Sequence, residues 1–463
     1  ASFDNLTSNE YNQVLLTNLI ESQDTFDLKI LDGEVEFNHI VDPITPNLIS
    51  SNAEDFATST GSAAGSAYSG GKNIIKLNSN RLVAFWEDDQ DDIVCAHSDD
   101  NGLTWIGVSE ITGLFKDVAI ATDGINIIYL FTNDATGANG KDIEYATSVN
   151  GCLLSANLDN VGTLNDHYRS DVAFNGIANS WEICAIDDDS GDLFYATSLV
   201  NTISWTTKQI GGNLGVFSCS IDVDQNGKVY IAADEHLNED ILVLSSLDQF
   251  NSISSQVVYP NPSRGVHLSI RGTEVLITTQ DRPSGDLVIA FSLDGSSYTT
   301  DIFQGTFYDA EGCIDSLGDY HIATTIGSLA VDQDIGYVLY SHGKFSLPEI
   351  LVNTANALRY PSVRCTNFPI NNRITDGKLD LVYTEQTIKD IYFAQYNYPT
   401  TPYAVLNSPI NGATFTLGST IPLDITVYDI DSDPIETFIY GISSSSTIDF
   451  YKHGLLFHDL SAT

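Results

Sequence analysis

Positive charge is scarce in this chain and methionine is absent. Only 19 Lys and Arg stand against 62 Asp and Glu in 463 residues, a net charge of −43. Phosphate binding needs clustered basic side chains, so this balance excludes a nucleic-acid partner and disfavours an anionic membrane surface. No apolar run reaches the ~18–20 residues that span a bilayer, so no membrane insertion is expected. With Ala1 in first place and no Met, the chain reads as a processed or excised mature chain. The six cysteines, Cys95, Cys152, Cys184, Cys219, Cys313 and Cys365, form no CxxC and no Cys/His metal spacing. All but Cys152 lie in strand-like runs and read first as small buried hydrophobes. A disulfide is the alternative, with its pairing open. A nucleotide-binding glycine loop, a His-Glu-x-x-His zinc site and a Gly-x-Ser-x-Gly nucleophile turn are likewise missing.

What is present is a repeat. An Asp followed by Ile or Leu stands at Asp92, Asp142, Asp192, Asp240, Asp286, Asp334 and Asp390, at intervals of 50, 50, 48, 46, 48 and 56 residues. Each copy has a β-rich run and a short acidic loop before it and a second β-rich run after it. AFWEDDQDDIVCAHS thus parallels EICAIDDDSGDLFYATS and LITTQDRPSGDLVIAFS. A period of about 40–50 residues built of short strands marks a β-propeller, one blade per repeat. The fold class is therefore all-β, with seven blades beginning near 65, 116, 167, 216, 264, 308 and 357.

Three regions follow. Residues 1–60 are a lead-in whose DLKILDGEVEFN segment reads as a hairpin about Asp32-Gly33. Residues 61–401 are the propeller. Its last blade lacks a fourth strand because Pro399 and Pro402 intervene, so a strand from 20–60 is expected to close the ring. Residues 402–463 read as the opening strands of an immunoglobulin-like β-sandwich, shorter than the usual ~100 residues.

Ser98-Asp99-Asp100-Asn101-Gly102-Leu103-Thr104-Trp105 fits an Asp box, S-x-D-x-G-x-T-W, and Ser292-Leu293-Asp294-Gly295 is a decayed copy. Fainter echoes begin at Ser148 and Ser198. On these motifs the chain resembles the sialidase-like, BNR-repeat β-propellers over blades 1 to 7. In the box, Ser98, Asp100 and Thr104 suit a tight turn, Gly102 admits positive φ, and Trp105 suits a blade interface. The resemblance implies that this box lies opposite the working face. It does not extend to catalysis: the Phe-Arg-Ile-Pro-like segment of true sialidases is absent, and those enzymes usually have six blades.

Propeller geometry puts the loops before the repeated Asp residues on one face, together with the starts of the inner strands. Acidic residues there, including Asp88, Asp187, Asp281 and Glu385, read either as a carboxylate rim for Ca²⁺ or a cationic partner, or as ordinary turn chemistry. Arg169, Arg264 and Arg359 fall at the inner-strand starts of blades 3, 5 and 7, beside His167, Tyr168 and Tyr360. Guanidinium groups so placed would hold a carboxylate or sulfate, or else neutralise the acidic loops. Were this an enzyme of acidic polysaccharides, His167, Tyr168 and Arg169 have the chemistry to neutralise a uronate and remove its α-proton.

Two segments resemble calcium loops. Asp222-Val-Asp224-Gln-Asn226-Gly227 lacks the closing Glu and reads as a hairpin turn. Asp429, Asp431 and Asp433, alternating before Pro434 in the tail, are the better Ca²⁺ site. The expectation is a non-catalytic extracellular or virion surface protein, recognising a glycan or a neighbouring protein subunit through its propeller. A secreted carbohydrate-active enzyme is the alternative, and a purely structural subunit a third reading.

Overall fold

The computed structural model describes residues 46–50 and 72–397. Within these it omits 89–91, 134–141, 150, 153–158, 166, 188, 213, 236–239, 316–317, 329–330, 342, 347, 354–357, 367–368, 371–372, 375–377 and 386–389. It also describes the backbone of strands within 25–40, 403–408, 424–428, 435–442 and 448–456.

Seven antiparallel sheets follow the seven repeats. Blade 1 runs Ile74–Lys76, Leu82–Glu87, Ile93–Ser98 and Ile106–Ile111; blade 2 runs Phe115–Thr122, Asn126–Asn133, Asp142–Val149 and Asp159–Asn165. Blade 3 comprises His167–Asn175, Ser180–Asp187, Leu193–Leu199 and Thr202–Gly211; blade 4 comprises Val216–Val223, Val229–Glu235, Asp240–Ser246 and Ser254–Tyr259. Blade 5 is Ser263–Arg271, Glu274–Asp281, Leu287–Ser292 and Thr299–Phe303. Blade 6 is Phe307–Ile314, Tyr320–Ser328, Val331–Ser341 and Glu349–Val352, with Lys344–Phe345 as an extra short strand. In blade 7, Leu358–Thr366, Lys378–Glu385 and Asp390–Asn397 are joined on the outer edge by Asn47–Ser50, which pairs antiparallel with Asp390–Asn397. The two ends of the propeller chain thus share one sheet, and neither first nor last blade faces a gap.

Each second strand is packed between blades on both faces, which explains its unbroken apolar runs. Leu82–Glu87 and Val229–Glu235 are buried along their whole length. The fourth strands lie at the rim; Thr202–Gly211 alternates exposed with half-buried residues over most of its length. At the closure, Ile49, Phe393 and Val382 of blade 7 pack with Leu82, Trp86 and Val94 of blade 1.

The cysteines are not separate small hydrophobes. Cys95–Cys152, Cys184–Cys219 and Cys313–Cys365 are disulfides, joining blades 1 to 2, 3 to 4 and 6 to 7. Their Cα–Cα distances are 5.6, 6.4 and 5.6 Å, within disulfide reach. Neighbouring blades pack face to face, so a Cys on one meets a Cys on the next.

Outside the propeller, Thr25–Leu31 pairs with Glu34–Ile40, Tyr403–Ser408 with Asp424–Tyr428, and Ile435–Ile442 with Ile448–Leu456. Asp429, Asp431 and Asp433 lie outside the described residues.

Candidate functional site

The inner strands begin with a β-bulge in six blades. Pairing slips between Lys116 and Ala119, Tyr168 and Asp171, Val216 and Ser218, Arg264 and Val266, Tyr308 and Glu311, and Arg359 and Ser362. At these bulges Asp117, Arg169, Asp309 and Tyr360 adopt φ of 52°, 48°, 50° and 52°, where side chains are strained. Bulges re-aim side chains at a sheet end, and here they shape the mouth of the central channel.

The three arginines do not share one position relative to the bulge. Tyr168, Arg264 and Arg359 occupy equivalent positions, opposite Ile186, Gln280 and Thr384, whereas Arg169 lies one residue further on. Arg169 is buried; its Nη1 donates to the Phe217 carbonyl of blade 4 at 2.7 Å, and its guanidinium lies over the Tyr168 and Phe217 rings at 4.8 and 5.7 Å. Arg359 instead turns to blade 6, donating from Nε to Gln333 Oε1 at 2.8 Å and from Nη1 to the Tyr360 hydroxyl at 3.3 Å. Arg264 is placed by its backbone, in the first strand of blade 5. His167 is buried edge-on against Phe194, ring centroids 4.4 Å apart. His167, Tyr168 and Arg169 therefore sit on one strand start, while Arg359 and Tyr360 face other neighbours.

Where described, acidic loop residues serve their own turns. Asp88 Oδ1 accepts from Asp92 N, Asp187 Oδ1 from the Ser190 amide and hydroxyl, and Asp281 Oδ2 from those of Ser284. The repeated Asp acts at longer range. Asp92 accepts from Gly113 N at 2.6 Å and Asp286 from Gly305 N at 2.9 Å, each fastening the link to the next blade. One carboxyl at the mouth is set apart. Burial pushes Asp234 up to about 7, against the Ser263 hydroxyl that donates to it at 3.2 Å and the charges of Arg282 and Arg169.

Deeper on the axis lies a ring that sequence reasoning missed. Asn73, Ala119, Asp171, Ser220, His267, Glu311 and Ser362 share one level of the seven inner strands, opposite Phe85, Leu130, Cys184, Ala232, Thr278, Ala323 and Val382. The side chains of Asp171, Ser220, Glu311 and Ser362 bridge to the next blade. Asp171 Oδ2 accepts from Ile221 N and the Ser220 hydroxyl at 3.0 and 2.9 Å; Ser220 Oγ in turn accepts from Leu268 N at 3.1 Å. Glu311 Oε1 accepts from Val363 N at 3.0 Å and the Ser362 hydroxyl at 3.2 Å, and Ser362 Oγ from Asn73 N at 3.1 Å. Inner-strand amides facing the channel would otherwise be unpaired. Lys72 reaches into the ring, 3.2 Å from Asp222 Oδ2.

Burial pushes Glu311 up to about 8 and Asp171 up to about 6, while burial and then Lys72 push His267 down to about 3. Burial pulls the Lys72 ammonium down, but Asp222 and Asp171 more than offset it and hold it above its ordinary value. The ring thus holds Glu311 and His267 uncharged at neutral pH.

The opposite face carries the boxes. In blade 1, Asp100 Oδ1 accepts from Thr104 N at 2.8 Å, Ser98 Oγ from Gly102 N at 2.8 Å, and Trp105 packs on Phe393 of blade 7 at 5.4 Å. The same bonds recur in blade 4, where Asp248 Oδ1 accepts from Ser252 N at 2.8 Å and Ser246 Oγ from Phe250 N at 2.8 Å. That copy was hidden because Phe250 stands where Gly102 stands in blade 1, itself at φ 58°. The carbonyl and amide of Asp224, with its carboxylate, close a hairpin through Gly227, Lys228 and Asn226. Among the described residues no group of three His, Cys, Asp or Glu is placed to hold a metal ion.

No protein-family model and no curated protein matches the chain. Solved structures with a similar course include the Hadza microbial sialidase Hz136, at 9% identity and TM-score 0.42, over 70% of this chain and 74% of that one. The NanB sialidase of Streptococcus pneumoniae matches at 11% and 0.42, over 77% and 71%. The polysaccharide lyase Uly1 matches at 10% and 0.47, over 77% and 100%. Likeness at this identity concerns the path of the chain and carries no activity across.

Proposed function

We propose that this propeller is a non-catalytic recognition module, displayed outside the cytosol on a cell or particle surface, that takes a glycan or a protein partner at the channel mouth. One observation carries the reading: the guanidinium groups of Arg169 and Arg359 are taken up by neighbouring blades instead of converging on one pocket. Groups fixed in this way brace the mouth and leave loops and aromatic faces, such as Phe217 beside Arg169, to make contacts. Three disulfides and an absence of free cysteine among the described residues favour an oxidising compartment.

A secreted carbohydrate-active enzyme is the second reading, and Asp234 favours it. A carboxyl held near 7 at the mouth is what a general acid at neutral pH requires. The deciding experiment measures binding and product release together on sialylated, uronic and sulfated glycans, with and without EDTA. Binding without turnover supports recognition, and its loss in EDTA would place Ca²⁺ in the function, with Asp429, Asp431 and Asp433 as the first ligands to replace. Turnover abolished by Asp234→Asn, with glycan binding retained, would replace the proposal with the enzyme.

A further inference from the structure

Where described, the 1–2 and 3–4 hairpins of blades 1 to 6 open on the face opposite the mouth. Its tips are apolar in a regular way. In blades 2, 3, 4 and 5 the residue just after the box Ser is aliphatic: Val149, Leu199, Leu247 and Leu293. They are 57%, 54%, 71% and 71% exposed. Adjacent hairpins touch, since Asn175 Nδ2 donates to the Gly227 carbonyl at 3.2 Å, Gln225 N to the Gly272 carbonyl at 2.8 Å, and Lys228 lies against Gly295. Between blades 3 and 4 they enclose a groove of about 250 Å³ whose lips are Leu247 and Ile177, the latter 70% exposed. An exposed leucine is ordinary; the same position exposed in four consecutive blades is an interaction surface.

Charge decides what covers it. Asp248 and Asp294 stand beside Leu247 and Leu293, fully exposed, and their own turns hold them ionised: the Ser252 hydroxyl and amide lower Asp248 to about 2, and Ser296 lowers Asp294. Arg81 on this face is occupied by Asp99, at 2.6 Å. A second copy would bring like charge onto like, on a chain of net −43, and an anionic lipid surface is repelled in the same way. We propose that this arc docks a basic protein segment presenting aliphatic side chains, with cations over the box carboxylates and apolar groups over the leucine tips. The surface is independent of the mouth and of what the mouth binds.

The test uses the full chain and a synthetic amphipathic Leu/Lys helix, with a Lys/Gly peptide of equal charge as control, at about 0.15 M salt where long-range attraction is screened. The wild type should bind the Leu/Lys peptide at least about tenfold more tightly than the control. The triple variant Leu199→Ser, Leu247→Ser, Leu293→Ser should lose that margin with its melting temperature kept, because all three side chains are exposed. Leu114→Ser, on the mouth face, should bind as wild type. Equal affinity for both peptides, unchanged binding by the triple variant, or no binding would overturn the proposal. So would self-association that the triple variant abolishes, which would make the occupant a second copy.

Discussion

Replacing Glu311 with Gln should reduce the pH dependence that the wild type shows between pH 6.5 and 8. Glu311 is buried in the axial ring, bonded to Val363 N and the Ser362 hydroxyl, with His267 Nε2 3.4 Å away and Lys72 and Asp171 as the nearby charges. Its folded value is about 8 against an ordinary 4.5. Between these values the native protein holds a proton that the unfolded chain has released. Stability from this group is therefore complete below 4.5, falls as pH rises, and is gone above 8. Each pH unit inside the window costs at most about 1.4 kcal/mol, so the span from 6.5 to 8 costs less than about 2 kcal/mol. His267 has the opposite sign, because its folded value is lowered, but its window closes below its ordinary 6.5. Asp171, at about 6, has already lost most of its effect below this span. Gln carries no titrating proton and fills the same volume. Asp234, at about 7, loses its own contribution over the same span in both proteins, so urea unfolding with disulfides intact, at several pH values, should show a wild-type decline steeper than that of Glu311→Gln. Equal slopes for both proteins would refute the buried, protonated carboxyl.

Two further outcomes are expected. Gly102→Ala should lower the melting temperature, since its Cβ would lie 1.9 Å from the Phe393 ring at a φ of 85°; a variant melting as wild type would mean that the closure between blades 7 and 1 is loosely packed. Cys313→Ser with Cys365→Ser should cost about 4 kcal/mol, the chain entropy released by opening a loop that spans a separation of 52 residues. Unfolding of the oxidised and variant proteins under identical conditions measures it.

Local chemistry was legible in the chain and long-range convergence was not. The seven blades could be counted because each carries its own evidence: alternating strands, an acidic turn, and an Asp at the start of the third strand. Asp92 and Asp286 fasten the next link by short-range bonds, so their identity and spacing survive in one dimension. Turn chemistry also exposed the box at Ser98 to Trp105. It hid the box at Ser246 to Ser252, because packing of Phe250 against Tyr195 offsets the strain that Gly would avoid there.

Only the closed ring decided the rest. Asp171, Ser220, His267, Glu311 and Ser362 lie in different blades and become neighbours when the inner strands encircle one axis, so no local pattern announces them. Cysteine pairing depended on which sheet faces which. Arg169 falls inside the bulge of blade 3 while Arg264 and Arg359 stand just before theirs, and Arg169 and Arg359 turn toward different blades. The sequence determined the blades because strands and turns are stabilised by near neighbours. The tertiary structure decided the site because its members are brought together only by the packing of one blade on another.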